Sequence, residues 1–121
     1  MTVTGAVSVA IGATAGSVAR YLSGMRLSRI SRSPFPWATW SVNAIGCLLL
    51  GLFFRVLTNT HRAGDGWLFL GIGFCGGYTT FSTLSVEMVH LVRTHKRLAI
   101  VYVASSICVG CVLTWIGVFL L

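Results

Sequence analysis

The chain has 121 residues, 55% of them hydrophobic and 9% charged, with nine Lys and Arg against two Asp and Glu. Together with a mean hydropathy of +0.86, this composition excludes a soluble domain and fits an integral membrane protein. The net charge of +7 does not point to nucleic acid, because the arginines fall between apolar segments rather than along one polar face.

Four apolar segments, Val3 to Ser23, Trp37 to Thr58, Trp67 to Val92 and Leu98 to Leu121, each approach the roughly 20 residues that a spanning helix needs. They predict an all-α membrane protein, a single four-helix transmembrane domain over residues 1–121. The uncharged start Met1-Thr2-Val3-Thr4 lacks the basic region of a signal peptide, and the segment runs on into Arg20, so it is expected to stay as a helix.

The first segment carries Gly12 and Gly16 four residues apart, with Ala15 and Ser17 beside them. That stripe lets another backbone approach closely. Arg20 continues the stripe toward the end of the span, either as a snorkelling side chain or as the charge of a vestibule. The loop from Met25 to Pro36 holds Arg26, Arg29 and Arg32, and Pro34 and Pro36 keep it from continuing as helix.

The second span opens at Trp37, an aromatic suited to the interface. Thr39, Asn43, Gly46 and Gly51 lie near one of its faces. An amide inside a span is costly unless paired, so Asn43 either joins two helices or lines a polar cavity as a donor.

The third segment is interrupted by Gly76-Gly77-Tyr78-Thr79-Thr80-Phe81-Ser82-Thr83, a poor helix-forming run at bilayer depth. Irregular backbone survives there only where it is buried in protein or lines a polar cavity, so a helix broken near Gly76 to Thr80 marks a candidate ion or substrate site. Carbonyls freed at the end of the first half are ligands for a hard cation. Beyond them Phe81, Ser82, Thr83 and Ser85 offer a ring and hydroxyls, followed by Glu87. Hydroxyls, amides and the positive edge of an aromatic ring are able to solvate a small, strongly hydrated anion.

In the fourth segment Tyr102 and Ser106 stand at i and i+4, with Ser105 beside them. Cys47, Cys75, Cys108 and Cys111 all lie in apolar spans and read as small hydrophobes; the Cys108 and Cys111 pair has no second pair or histidine to complete a metal site. His61, His90 and His95 sit in or beside loops. Arg20, Arg26, Arg29, Arg32, Arg93, Lys96 and Arg97 flank the first and third connections, whereas Arg55 and Arg62 flank the second. Seven against two is a positive-inside bias that places both termini outside a cell membrane crossed several times.

Gly12, Gly16, Arg20 and Tyr21, then Ala38, Thr39, Asn43, Gly46 and Gly51, then the run from Gly73 to Thr83, and finally Tyr102 and Ser106, together resemble the CrcB/Fluc fluoride ion channel family. The resemblance covers all four spans. It implies an antiparallel dimer with two pores along the subunit interface and a structural sodium ion held by the carbonyls of Gly76 and Thr79, with no organic cofactor. It further implies that Phe81 lends a ring edge to fluoride, that Asn43 and Ser106 donate hydrogen bonds, and that Thr39 and Tyr102 line the path. Ser82, Thr83 and Glu87 match the polar track, and Arg20 the vestibule. The implied function is passive export of cytoplasmic fluoride: HF enters as a neutral acid, dissociates, and the trapped anion leaves down its gradient.

Two departures stand out. Leu84 occupies the position of the family's second phenylalanine, and Ala38 that of a glycine before Thr39. A homodimer of antiparallel chains needs both orientations and therefore little charge bias, so the bias and Leu84 point to pairing with an inverted paralogue rather than a second copy.

The rival from another class is a small multidrug-resistance-type proton-coupled exporter, which needs a carboxylate in its first span. This chain has none there; Asp65 lies in a loop and Glu87 late in the third segment. A passive membrane scaffold would account for Gly12 and Gly16 but not for the mid-span hydroxyls. An enzyme is not expected, since no nucleophile with a base, metal cluster or phosphate loop is present.

Overall fold

The computed structural model describes residues 2–30, 33–59 and 63–120. Arg32, His61 and Arg62 lie outside the described residues, as do the side chains of Asn59, Ala63 and Asp65.

Helix α1 spans Val3–Ile30 and α2 spans Trp37–Asn59. A short α3, Ala63–Trp67, leads into a π-helical segment, Leu68–Cys75, and one further turn, α4, Gly76–Tyr78. The chain resumes as α5, Ser82–Thr94, and ends with α6, Lys96–Phe119. Among the described residues, three helices, Val3–Ile30, Trp37–Thr58 and Lys96–Phe119, are long and apolar enough to cross a membrane.

Helix α1 passes Met25 and ends at Ile30, beyond the loop start that the sequence suggests. Its last two turns carry Arg26 and Arg29, exposed and well suited to helix, and the nearest breaker is Pro34. The connection to α6 is correspondingly short: only His95, at φ −145° and ψ 80°, separates Thr94 from Lys96.

Large apolar side chains face outward along the long helices, among them Val7, Ile11, Ile45, Phe54, Ile107 and Trp115. In water such a surface would be a liability; against lipid it is the outer face of a membrane protein. Cys108 and Cys111 are exposed on this face as free thiols, so of the four cysteines only Cys75 is buried and Cys47 half-buried. Lipid-facing hydroxyls are satisfied by their own helix, as where Ser8 donates to the Thr4 carbonyl at 3.0 Å and Thr14 to that of Ala10 at 2.8 Å.

Glycine sets the two tightest helix contacts. A Cβ on Gly12 would strike the Phe69 carbonyl oxygen and one on Gly16 that of Phe74, while a Cβ on Gly77 would strike the carbonyl of Ala13. The small-residue stripe of α1 therefore seats the π-helical segment and α4 backbone to backbone. In the same way Gly51 of α2 meets the Thr114 carbonyl and Gly117 of α6 meets Leu48 and Leu52. Thr114 Oγ1 ties this pair by donating to the Cys47 carbonyl at 3.1 Å.

Candidate functional site

The backbone leaves helical geometry at Thr79, where φ is −79° and ψ 158°. Helix geometry alone would give the amide of Thr80 to the carbonyl of Gly76. Instead that amide donates to Asn43 Oδ1 at 2.8 Å, and Asn43 Nδ2 donates back to the Thr80 carbonyl at 3.0 Å. One side-chain amide thus satisfies both polar groups of a single residue, as a neighbouring strand would. Thr80 in turn accepts the Thr83 amide on its hydroxyl at 3.2 Å, which opens α5. The carbonyls of Gly76 and Thr79 are left without the amides that a continuous helix would send them.

Beside this segment runs a groove of about 500 Å³ between α2, the π-helical segment and α6. Gly76, Thr79, Asn43, Phe81, Leu84 and Ser106 all line it. Phe81 is 81% exposed. Ser106 Oγ is buried and has no hydrogen-bond partner among the described residues. A buried hydroxyl left unpaired costs about 1–3 kcal/mol, so its donor is available to an acceptor arriving in the groove.

On the other side of Thr80 a cleft of about 350 Å³ is lined by Arg20, Tyr21, Thr39, Thr80 and Thr83, among others. Thr80 thus stands between the groove and the Arg20 cleft. Thr39 Oγ1 donates to Glu87 Oε1 at 2.6 Å, and Tyr102, with no exposed surface, places its hydroxyl 3.4 Å from Oε2. Two hydroxyls on one carboxylate keep its charge solvated inside the protein.

The sequence-derived site residues fall into two groups. Asn43, Phe81, Leu84, Ser106, Gly76 and Thr79 meet at the groove; Arg20, Thr39 and Thr83 line the cleft, and Glu87 and Tyr102 join it through Thr39. Ser82 is exposed and lies 3.4 Å from the Thr80 hydroxyl. Tyr102 and Ser106, one turn apart, serve different surfaces, the first the carboxylate and the second the groove.

Thr80, Trp40, Ser105 and Phe35 were not among the site residues expected from sequence. Trp40 Nε1 donates to Ser105 Oγ at 3.0 Å, and that hydroxyl donates to the Tyr102 carbonyl at 3.2 Å. Phe35 packs edge-on against Tyr102 with ring centroids 5.5 Å apart. The available signal for Thr80 was its place in the polar run, and for Phe35 an aromatic held between two prolines.

Residues 7–118 match the family described as CrcB-like protein, Camphor Resistance (CrcB). Among curated relatives, the chain is 39% identical over 114 residues to the Fluoride-specific ion channel FluC of Flavobacterium psychrophilum, covering 93% of this chain and 92% of the relative. It is 42% identical over 110 residues to Fluoride-specific ion channel FluC 2 of Rhodococcus jostii, covering 90% and 91%. It is 44% identical over 115 residues to FluC 2 of Bacillus subtilis, covering 93% and 83%. With nearly the whole chain aligned, this multi-pass membrane protein belongs to the CrcB family.

Proposed function

We propose that the chain is a subunit of a fluoride-selective channel that exports cytoplasmic fluoride passively. The single observation that carries this reading is the buried, unpartnered Ser106 hydroxyl in a groove shared with the exposed Phe81 ring. Fluoride is a small, hard anion whose hydration is costly to remove, and a hydroxyl donor beside the positive edge of a ring replaces part of that shell. A pore that holds the ion by such weak groups, without a lysine or arginine ring, also releases it. Relatives of similar length carry the name fluoride-specific ion channel, which supports the same reading.

The π-helical segment, α4 and α5 together form the fourth crossing, interrupted around Thr79. A groove this apolar, with Phe81 beside it, is expected to be covered by a second subunit in antiparallel orientation, either a second copy or an inverted paralogue. The charge bias and Leu84 favour the paralogue, with both termini of this chain outside the cell membrane.

A sodium ion fits the donor set. The Gly76 and Thr79 carbonyls have no helical amides to accept, and oxygen ligands suit a hard cation. A two-fold related partner would double the pair, and the ion would supply fixed positive charge between the subunits. What this chain contributes is the bend itself, held by Asn43 on Thr80.

The proton-coupled exporter has no support in the site, since α1 carries no carboxylate and Glu87 is engaged by Thr39 and Tyr102. Growth of a fluoride-hypersensitive bacterium lacking its own exporter tests the proposal. Expression of this chain, alone or with an inverted paralogue, is expected to restore growth in fluoride. Failure in both arms, with the protein present in the membrane, would refute it.

A further inference from the structure

Away from the site already described, α5 and α6 enclose a groove of about 340 Å³. Met88 and Val92 of α5 and Ala99, Ile100, Val103 and Ala104 of α6 line it, all of them apolar. The two alanines leave the room that larger side chains on α6 would fill. Val92, Ile100 and Ala104 are exposed, so the groove opens outward rather than into the subunit.

Positive charge is concentrated at one end of this groove. Arg93 follows Val92 in the last turn of α5, and Lys96 and Arg97 open α6, one turn or about 5 Å before Ile100. All three are exposed. The connection holds them in place, because His95 donates its amide to the Leu91 carbonyl at 2.6 Å and accepts the Ala99 amide on its own carbonyl at 3.1 Å.

Within the chain alone this is a poor place for cations. The first turn of α6 contains no acidic residue, no side chain among the described residues caps it, and its free amides already carry the positive end of the helix dipole. Of the chain's two acidic residues, Glu87 is engaged by Thr39 and Tyr102, and Asp65 stands at the other end of the third segment. An anion from outside the chain relieves the accumulated charge and finds further donors in the amides that open α6.

We propose that this groove seats an anionic glycerophospholipid, one acyl chain lying along α5 and α6 and the phosphate at Arg93, Lys96 and Arg97. A tail with a negative head matches both parts of the surface, apolar along the helices and basic at the connection. A second copy of the chain matches only the apolar part, since it brings nine basic residues against two acidic and so adds like charge. Water-borne phosphate matches only the basic part. The seat is independent of the channel reading, and its leaflet is that of the third connection.

Native mass spectrometry of the purified protein in detergent, titrated with phosphatidylglycerol or phosphatidylcholine of the same acyl chains, tests the seat. One phosphatidylglycerol is expected to bind about tenfold more tightly than phosphatidylcholine. Combining Arg93→Gln, Lys96→Gln and Arg97→Gln should remove that preference; Lys96→Gln with Arg97→Gln, expected to reduce it, serves where the triple variant does not insert. Ala104→Leu fills the groove, leaves the charges in place and should weaken both lipids about tenfold. Arg26→Gln with Arg29→Gln, at exposed positions near the end of α1, should change neither affinity.

Equal affinity for the two lipids, a preference that survives the Lys96 and Arg97 changes, or an equal loss from the Arg26 and Arg29 changes would overturn the seat. Displacement of phosphatidylglycerol by inorganic phosphate would overturn it as well, by marking an anion site without a tail. Unchanged lipid affinity in Ala104→Leu would remove the groove from the account, and loss of a dimer in that variant would assign the groove to a contact between subunits.

Discussion

Asn43 carries more of the fold than its type suggests. Its amide closes a pair of hydrogen bonds on Thr80, so Asn43→Ala strands an amide and a carbonyl in the protein interior. At about 1–3 kcal/mol for each unsatisfied group, the variant should lose roughly 2–6 kcal/mol, seen as a large drop in Tm in detergent. Ser106 behaves in the opposite sense. Its hydroxyl has no partner among the described residues, so Ser106→Ala should leave Tm unchanged or raise it while lowering fluoride efflux. A joint fall of Tm and efflux in Ser106→Ala would mean that the hydroxyl has a structural partner and is not waiting for an ion. Both residues could be singled out from sequence because a polar side chain in a span needs a reason. Their partners could not be read, since Thr80 lies 37 residues from Asn43 and the lack of a partner is a property of three-dimensional packing alone.

At the level of elements, three of the four expected spans and the opening of α2 at Trp37 were legible from hydropathy and from the two prolines. The extent of α1 was not, because arginines are compatible with both loop and helix and the helix ends only as the prolines approach. The π-helical segment was also invisible: Leu68 to Cys75 is an ordinary apolar run, although Gly12 and Gly16 seat against its Phe69 and Phe74. That contact predicts a contrast. Gly16→Ala forces a methyl group into the Phe74 carbonyl and should cost about 1–3 kcal/mol, whereas Gly76→Ala meets nothing within 4 Å among the described residues and should preserve the subunit's helicity and Tm. Circular dichroism with thermal melts separates the two. Equal loss in both variants would mean that Gly76 also lies against backbone.

For the whole molecule, the decisive facts are an apolar outer surface, a groove that this chain does not cover by itself, and a charge distribution that favours one orientation. Membrane class and charge bias follow from composition, which is why both could be read without coordinates. The partner is a different matter, because an open apolar face fits lipid as well as a second subunit. Leu84, half-buried against the Tyr102 cluster, leaves its side of the groove without a second ring. If an inverted paralogue supplies that ring, Leu84→Phe should raise fluoride efflux from this chain expressed alone. An unchanged rate in Leu84→Phe would argue against a missing ring.

The most direct measurement is fluoride release from liposomes containing the purified protein, with an inverted paralogue where one is required, followed by a fluoride electrode after potassium conductance is opened. A groove built on Phe81, Ser106 and the bend at Thr79 predicts rapid fluoride release, negligible chloride release, and loss of the fluoride signal in Phe81→Ala with the subunit still folded. Equal release of chloride and fluoride, or full fluoride release from Phe81→Ala, would contradict it.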